Sequence, residues 1–228
     1  FFLKKEKLPI GGFIESDLNI PYVVNIGAIE PRKNQIKLLN HLLPLIRKRQ
    51  IKLVFIGKSG EEEYYKKFKN IIANISELEN FSQKRSIDNQ RDFFIEKEML
   101  KDKTSTEELK PYKTILLMED LNNNEVNHIL QGALCLIQYS SSEGFGIPLV
   151  EASKNNCPVL ASDIKIFEEV GNFIKLDQNN PKSVLNEIIK LSKKDILSRK
   201  KLIINQFESV KKHSHQEVNN RLIKFCKE

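Results

Sequence analysis

Residues 22–34 read YVVNIGAIEPRKN, an apolar run that ends at Gly27 and is followed by a short polar turn. The next residues, 35–49, carry Ile36, Leu39, Leu43 and Ile46 at spacings of three to four, which predicts an amphipathic helix. A buried strand that turns at a glycine into a helix is the repeating unit of an α/β fold. This stretch therefore predicts the first strand and helix of a parallel sheet.

The same alternation continues along the chain and predicts about six strands. Further strands are predicted for short apolar runs at 51–57, 114–118, 133–139, 158–161 and 173–176. Helices are predicted at 61–79, 125–131, 149–154, 181–191 and from 196 onward. The pattern indicates a Rossmann-like α/β domain with helices on both faces of a parallel sheet. Because such sheets bind ligands beyond the C-terminal ends of their strands, the loops after Gly27, Gly57, Met118 and Tyr139 are expected to line one crevice.

Composition divides the chain into a domain and its flanks. Residues 21–205 contain every predicted strand and are expected to form one domain, with 1–20 as a linker before it and a separate helix at 206–228 after it. Within the domain, residues 82–112 are highly charged and lack glycine, which predicts a surface insertion with a helix at 91–101. The chain does not begin with Met, so we expect it to be a piece of a longer protein.

Charge and cysteine content exclude several classes of function. The net charge is +7, but it is spread thinly and no aromatic-and-basic platform is present, so nucleic acid is not expected as a partner. The basic runs at 193–194, 199–201 and 211–212 indicate a solvated helix face, with peripheral contact with an anionic membrane as the second interpretation. Cys135 and Cys157 lie in apolar runs, which indicates reduced thiols and a cytoplasmic compartment.

Arg32 and Lys33 stand immediately before the first predicted helix. Free backbone N–H groups, the positive end of the helix dipole and two cations would converge there, which predicts a site for a diphosphate. The alternative is an ordinary strand-to-helix turn with surface Arg and Lys side chains.

A second polar loop follows the fourth predicted strand and reads SSSEGFGIPLVE at 140–151. Gly144 and Gly146, on either side of Phe145, would leave backbone amides open to a ligand. Glu143 stands at the strand tip, and Glu151 is predicted in the first turn of the next helix. Carboxylates accept charge-assisted hydrogen bonds from hydroxyls, so one suits a ribose diol and the other a sugar. A tight turn and an acid that stabilises the helix dipole are the alternatives.

These two loops resemble those of a known family. Glu143 and Glu151 form an E-x7-E motif, and EGFGIPLVEA at 143–152 resembles the retaining glycosyltransferases of the GT-B fold, family 4 (glycosyl transferases group 1). GAIEPRKN at 27–34 resembles a branch common among bacterial mannosyltransferase-like enzymes of surface polysaccharide synthesis. VFIG at 54–57, CPV at 157–159 and EVG at 169–171 follow in the family's order. The resemblance covers about residues 20–225 and implies the C-terminal, donor-binding half of a GT-B fold.

The resemblance implies a role for each loop residue in binding a nucleoside-diphosphate sugar. Lys33 would contact the diphosphate, with Arg32 as a second cation, because many members carry an Arg where this chain has Ala28. Glu143 would contact the transferring sugar, and Glu151 the ribose. The catalytic set is thus Glu143, Arg32 and Lys33. The other implied donor-binding residues lie at the loop ends and the glycine-rich bend: Gly27, Gly57, Leu121, Gly144, Phe145, Gly146, Ile147 and Glu151.

The implied reaction transfers a sugar, with retention, to a glycan or lipid-linked acceptor. The family needs no metal or other cofactor, and the sequence offers no Asp-x-Asp metal site. In the family the acceptor binds to an N-terminal domain, so we expect the isolated chain to bind a donor weakly and to transfer nothing. The resemblance also implies that residues 1–20 are a linker or the end of that domain, and that the helix at 206–228 packs toward it. Two alternatives stay open: a non-catalytic nucleotide-sugar-binding module of a larger polysaccharide-assembly protein, and an epimerase or phosphorylase relative.

Overall fold

The computed structural model describes residues 20–75 and 114–213. The linker predicted at 1–20 lies outside the described residues except for Ile20. The insertion at 82–112 with its helix at 91–101, and the chain beyond residue 213, lie outside them entirely.

Six strands form one parallel sheet. They are β1 (Tyr22–Ile26), β2 (Lys52–Ile56), β3 (Ile115–Met118), β4 (Cys135–Gln138), β5 (Val159–Ser162) and β6 (Ile174–Leu176). The strand order is β3-β2-β1-β4-β5-β6, and all neighbouring strands are parallel, which confirms the predicted sheet. The order reverses direction between β1 and β4, and α/β sheets bind ligands at such a switch point.

Helices connect the strands. They are α1 (Gln35–Arg47), α2 (62–75), α3 (Asn123–Gly132), α4 (Ile147–Lys154), α5 (Lys165–Val170), α6 (Pro181–Ser192) and α7 (Ile196–Val210), with 3-10 turns at Pro31–Lys33 and Lys211–His213. The sequence did not predict α5, because its six residues are too few to show helical periodicity. The boundary predicted at residue 206 falls inside α7, which runs on to Val210.

Alternate residues of the strands pack into two cores on opposite faces of the sheet. In β1, Val23 belongs to the core that includes α1, α2 and α6, whereas Val24 belongs to the core that includes α3, α4 and α5. Strands that are buried on both faces need apolar residues at successive positions, which explains the continuous apolar runs of the sequence. Helices on both faces were predicted, and the two cores confirm them.

The two cysteines in the described ranges are buried free thiols. Cys135 lies in β4, and Cys157 lies just before β5. Burial raises the pKa of both thiols, that of Cys157 to about 12. Both therefore stay protonated at neutral pH and serve as small apolar core residues.

Among the helices of residues 20–75 and 114–213, none has the length and apolar character needed to cross a membrane.

Candidate functional site

The loops after β1 and β2 touch at two glycines. Gly27 and Gly57 both have positive φ angles, 145° and 153°. A Cβ atom at Gly57 would overlap the carbonyl oxygen of Gly27 and lie 2.7 Å from its carbonyl carbon. Only glycine fits this close approach and this backbone conformation. The two predicted glycines therefore shape the floor of the crevice at the C-terminal edge of the sheet.

Lys33 is buried at the end of the 3-10 turn after β1. Its exposed fraction is 8%, although lysine is rarely buried without a partner. Asn34 follows in the left-handed conformation, with a φ of 55°, and starts α1. Lys33 Nζ lies 3.5 Å from the place that a Cβ atom on Gly27 would occupy. The end of the Lys33 side chain therefore packs directly against Gly27.

The loops after β1 and β4 are joined across the switch point. Ser141 donates two hydrogen bonds to the carbonyl oxygen of Arg32, from its backbone N at 2.8 Å and from its Oγ at 3.1 Å. Arg32 Nη1 in turn donates to the carbonyl oxygen of Ser142 at 3.2 Å. The two loops predicted to line one crevice therefore lie in direct contact.

Glu143 is the centre of an ion-pair cluster. Its Oε2 accepts a hydrogen bond from Arg32 Nη1 at 2.9 Å, and its Oε1 accepts from Lys33 Nζ and, at 2.6 Å, from Ser140 Oγ. Arg32 Nη2 also pairs with Glu30 Oε1 at 2.6 Å. The two carboxylates and two cations bring the formal charge of the cluster to zero. The structure thus brings together the three residues predicted as catalytic, with the cations held by Glu143 itself.

The surroundings of Glu143 keep it ionised. Burial alone would raise the pKa of this carboxyl, but the hydrogen bonds and charges of Lys33, Ser140 and Arg32 together outweigh that effect and lower it. A carboxyl whose pKa is lower in the folded state stabilises the fold at a pH above its unfolded pKa, and this contribution disappears as pH falls through the folded pKa.

The first prediction concerns this pH dependence. Glu143→Gln is expected to reduce the free energy of unfolding at pH 7, because it removes both ion pairs and leaves Lys33 buried with a weaker partner. The difference from the wild type should begin to shrink as pH falls below about 4.5, where the carboxyl becomes protonated in the unfolded state, and should disappear as pH falls through the lower folded pKa. Urea denaturation of both proteins between pH 7 and pH 3 measures it. A difference that stays constant over this range would show that the ion pairs contribute nothing.

The glycine-rich bend lies beside this cluster. Gly146 has a φ of 96° and is the N-cap of α4, where a Cβ atom would come within 2.8 Å of the ring of Phe167. No atom lies within 4 Å of the place that a Cβ atom on Gly144 would occupy, so this residue is open to solvent. Phe145 is 38% exposed, and Ile147 is 61% exposed. The bend therefore presents its backbone and two apolar side chains outward at the N-terminus of a helix.

The position of Glu151 corrects a prediction. α4 begins at Ile147, so Glu151 is its fifth residue and lies beyond the first turn, which contains no acid. The helix starts earlier than predicted because Gly146, in the left-handed conformation, is its N-cap, and Pro148 is tolerated at the second position. Glu151 is therefore not placed to cap or stabilise the helix start. Its side chain is exposed, yet partial desolvation raises the pKa of the carboxyl, with Lys154 acting in the opposite direction.

Leu121 lies where the sequence predicted it, in the loop after β3. It is half-buried and precedes Asn122, whose side chain accepts hydrogen bonds from the backbone N of Asn124 and Glu125 and so caps α3. In the same loop, Asp120 pairs with Lys58 from the loop after β2. The loop therefore borders the crevice from the β3 side of the sheet.

Several residues that support the site were not predicted as site residues. Ser140 donates to Glu143, as described above. Tyr139, which precedes it, is buried, and its hydroxyl lies 2.9 Å from His41 Nδ1 of α1. Gln178 Nε2 donates to the carbonyl oxygen of Tyr139 and holds the end of β4 from the loop after β6. The only signal in the sequence was the three-residue spacing of Ser140 and Glu143 at a strand end.

Acidic and histidine side chains do not form a metal-binding cluster in the described part of the site. Across the two described ranges, no group of three or more His, Cys, Asp or Glu side chains is arranged to hold a metal ion. Arg32, Lys33 and the N-terminus of α4 are groups of the described chain that attract anions.

Local sequence matches point to glycosyltransferases. A segment of 56 residues is 43% identical to O-antigen chain mannosyltransferase RfbU of Salmonella typhimurium, covering 25% of this chain and 16% of that protein. A segment of 58 residues is 31% identical to the serotype-specific mannosyltransferase WbdA of Escherichia coli, covering 25% of this chain and 7% of that protein. The matched segments are therefore short parts of long relatives.

The fold is similar to that of solved glycosyltransferases. Anabaena Alr3699/HepE, solved with UDP and glucose, superposes with a TM-score of 0.66 at 15% identity, over 96% of this chain and 51% of that chain. The Burkholderia xenovorans α,α-trehalose-phosphate synthase superposes with a TM-score of 0.70 at 7% identity, over 96% of this chain and 46% of that chain. The chain thus spans about half the length of these GT-B structures.

The sequence profile of one family extends over half of the chain. It is the profile described as "Glycosyl transferases group 1", and it matches residues 95–209. This range includes Glu143 and the glycine-rich bend, on a sheet whose fold is that of GT-B glycosyltransferases. The chain belongs to the glycosyl transferases group 1 family.

Proposed function

We propose that the chain is the donor-binding half of a family 4 glycosyltransferase, which transfers a hexose from a nucleoside-diphosphate sugar, with retention, in surface polysaccharide synthesis. The observation that carries the proposal is the convergence of Glu143, Arg32 and Lys33 at the switch point of the sheet. A mannose-type donor is favoured, because RfbU and WbdA are both named mannosyltransferases.

The reaction we propose breaks the bond between the anomeric carbon of the donor and the diphosphate oxygen. The acceptor hydroxyl oxygen forms the new bond on the same face of the sugar, and its proton leaves with the nucleoside diphosphate. Negative charge grows on the departing diphosphate as the bond breaks. Preorganised cations and helix N-termini stabilise such charge, so Arg32, Lys33 and the start of α4 would act without a metal ion.

The ion pairs of the ligand-free cluster have a consequence for donor binding. Lys33 and Arg32 already have an anionic partner in Glu143. A diphosphate therefore gains from these cations only as far as it replaces or shares that partner. Glu143, released from one cation, is then free to accept hydrogen bonds from hydroxyl groups of the sugar. This exchange would link binding of the diphosphate to binding of the sugar.

The remaining parts of the enzyme belong to the same proposal. A glycan or lipid-linked acceptor would bind on an N-terminal domain of the GT-B type, in keeping with the half-length match to the solved structures. We propose that the isolated chain binds donor weakly and transfers no sugar, and that the protein works in the cytoplasm at the inner face of the membrane.

The second prediction separates the roles of the two motif carboxylates. Glu151→Ala is expected to weaken binding of bare UDP or GDP about tenfold, because a ribose diol loses its charge-assisted hydrogen bonds. Glu143→Gln is expected not to weaken binding of the bare nucleotide, but to remove any preference for UDP-glucose over UDP or for GDP-mannose over GDP. Titration calorimetry of the 228-residue chain measures both.

The outcome also tests the function as a whole. Lys66→Gln, an exposed residue of α2, gives a control, and its affinity for the bare nucleotide should stay within about threefold of the wild type. Equal losses of nucleotide affinity in the Glu143 and Glu151 variants would contradict the division of roles. If no UDP- or GDP-sugar binds even with the N-terminal domain present, the proposed glycosyltransferase function is wrong.

A further inference from the structure

The exposed face of α7 is the most apolar helix surface in the described residues. Those residues expose six large apolar side chains, and four of the six lie on α7: Ile196, Leu197, Ile204 and Phe207, at 73%, 71%, 56% and 37%. The other two belong to the glycine-rich bend. Scattered exposed apolar residues are ordinary, but a group of them on one helix marks an interaction surface.

These four side chains share one side of the helix with two lysines and with Glu208, which pairs with Lys211. Ile196, Lys200 and Ile204 are spaced by four residues, and Leu197 and Lys201 run beside them at the same spacing. Residues at spacings of three and four lie on the same face of a helix. The opposite face is anchored in the domain, where Gln206 hydrogen-bonds with the backbone of Val159. We name the exposed side the α7 face: Ile196, Leu197, Lys200, Lys201, Ile204 and Phe207.

Positive charge is concentrated around the α7 face. Residues 193–212 contain seven basic and two acidic side chains, a net charge of +5, whereas the whole chain carries +7. Arg199 is turned inward and donates to the carbonyl oxygens of Ala133 and Leu134. In the described part of the chain, no ion pair involves Lys193, Lys194, Lys200 or Lys201. Their charge is therefore available to an external partner.

Apolar residues between unpaired lysines match the chemistry of an anionic membrane surface. The apolar side chains of an interfacial helix enter the boundary between headgroups and acyl chains, while its lysines contact anionic headgroups. Nucleic acid would need several aromatic side chains for base stacking, and Phe207 is the one aromatic residue of the α7 face. We infer that the protein docks on an anionic membrane through the α7 face.

The first part of α7 lies away from the donor crevice. Arg199 and Gln206 contact residues before β4 and the first residue of β5, at the N-terminal edge of the sheet. His213, after the end of α7, instead contacts Phe145 of the glycine-rich bend. Glu143 and Lys33 lie at the C-terminal edge. The sequence alone favoured a solvated helix face, but Ile204 and Phe207 are exposed in the structure rather than buried against the domain. The inference rests on this surface alone and does not depend on the proposed transferase activity.

The third prediction tests the charge of the α7 face. The 228-residue chain is expected to co-sediment with vesicles of phosphatidylglycerol and phosphatidylcholine at low salt, and not with vesicles of phosphatidylcholine alone. The double variant Lys200→Gln, Lys201→Gln should bind the anionic vesicles about 25-fold more weakly, since each lysine near such a surface contributes roughly fivefold. The control Lys66→Gln, Lys67→Gln makes the same change of charge on α2, and its affinity for the anionic vesicles should fall less than about threefold.

A fluorescent probe tests whether the apolar residues insert. The chain contains no tryptophan, so Ile204→Trp provides a single reporter. Its emission should move to shorter wavelength with anionic vesicles, whereas that of Lys66→Trp should not. Three results would overturn the proposal: equal binding to neutral vesicles, an equal loss in the α2 control, or an unchanged Ile204→Trp spectrum in the presence of anionic vesicles. Binding to heparin without binding to vesicles would overturn it too, and would assign the face to another anionic partner.

Discussion

Replacing Lys33 by Gln is expected to weaken binding of UDP or GDP to this chain about thirtyfold. Lys33 is buried, and its ammonium group lies over Gly27 at the C-terminal edge of the sheet. A hydrogen bond between two charged groups in such a site contributes roughly 2 kcal/mol, which corresponds to that change in affinity. Glutamine retains a hydrogen-bond donor of similar length, so the difference measures mainly the charge.

Burial makes Lys33 the more important of the two cations. The side chain of Arg32 is 44% exposed and is shared between Glu30 and Glu143. The side chain of Lys33 is 10% exposed and is directed at Glu143. Solvent screens an exposed charge much more than a buried one, so Arg32→Gln should lower the affinity for UDP or GDP only about fivefold. A larger effect at Arg32 than at Lys33 would contradict this order.

The measurement is titration calorimetry of the chain with UDP and with GDP. Lys66→Gln is the matched control, because it removes one positive charge from an exposed site on α2 and should change affinity less than about twofold. Urea denaturation must accompany the calorimetry to show that the Lys33 variant is folded, since Glu143 loses a partner in it. An unchanged nucleotide affinity in a folded Lys33→Gln protein would show that Lys33 does not contribute to donor binding.

The sheet and the position of the crevice could be predicted from the sequence for a simple physical reason. Strands that are buried on both faces appear as continuous apolar runs, and Gly27 and Gly57 mark where two of them end. Parallel strands place their loops at one edge, so Lys33 and Glu143 had to lie on the same side of the domain. The resemblance to a family then assigned them roles.

The ion-pair cluster could not be predicted from the same information. Lys33 and Glu143 are 110 residues apart, and they meet because β1 pairs with β4. No local pattern encodes which strands are neighbours. The position of Glu151 was misjudged for a local reason, since the start of α4 depends on the left-handed conformation of Gly146. Sequence patterns therefore located the charges but not their partners.

Gly57→Ala is expected to be the most damaging single substitution outside the charged cluster. The φ of 153° is unfavourable for any residue with a side chain, and the new methyl group would overlap the carbonyl oxygen of Gly27. Backbone strain and displacement of the loop after β1 together should reduce the free energy of unfolding by about 3–5 kcal/mol. Gly144→Ala is the matched control and should cost less than about 0.5 kcal/mol, because no atom lies within 4 Å of its new methyl group.

The effect of Gly57→Ala should also reach the site, because the new methyl group would displace Gly27, which starts the loop that carries Lys33. If the loop after β1 moves to relieve the overlap, the ammonium group of Lys33 moves with it, away from Glu143. The variant should therefore lose affinity for UDP and GDP even under conditions where it remains folded, and urea denaturation with calorimetry on the same samples separates the two effects. A Gly57→Ala protein as stable as Gly144→Ala would mean that the two loops do not touch as described. A destabilised variant with unchanged nucleotide affinity would instead show that Lys33 is positioned by Glu143 and not by the glycine contact.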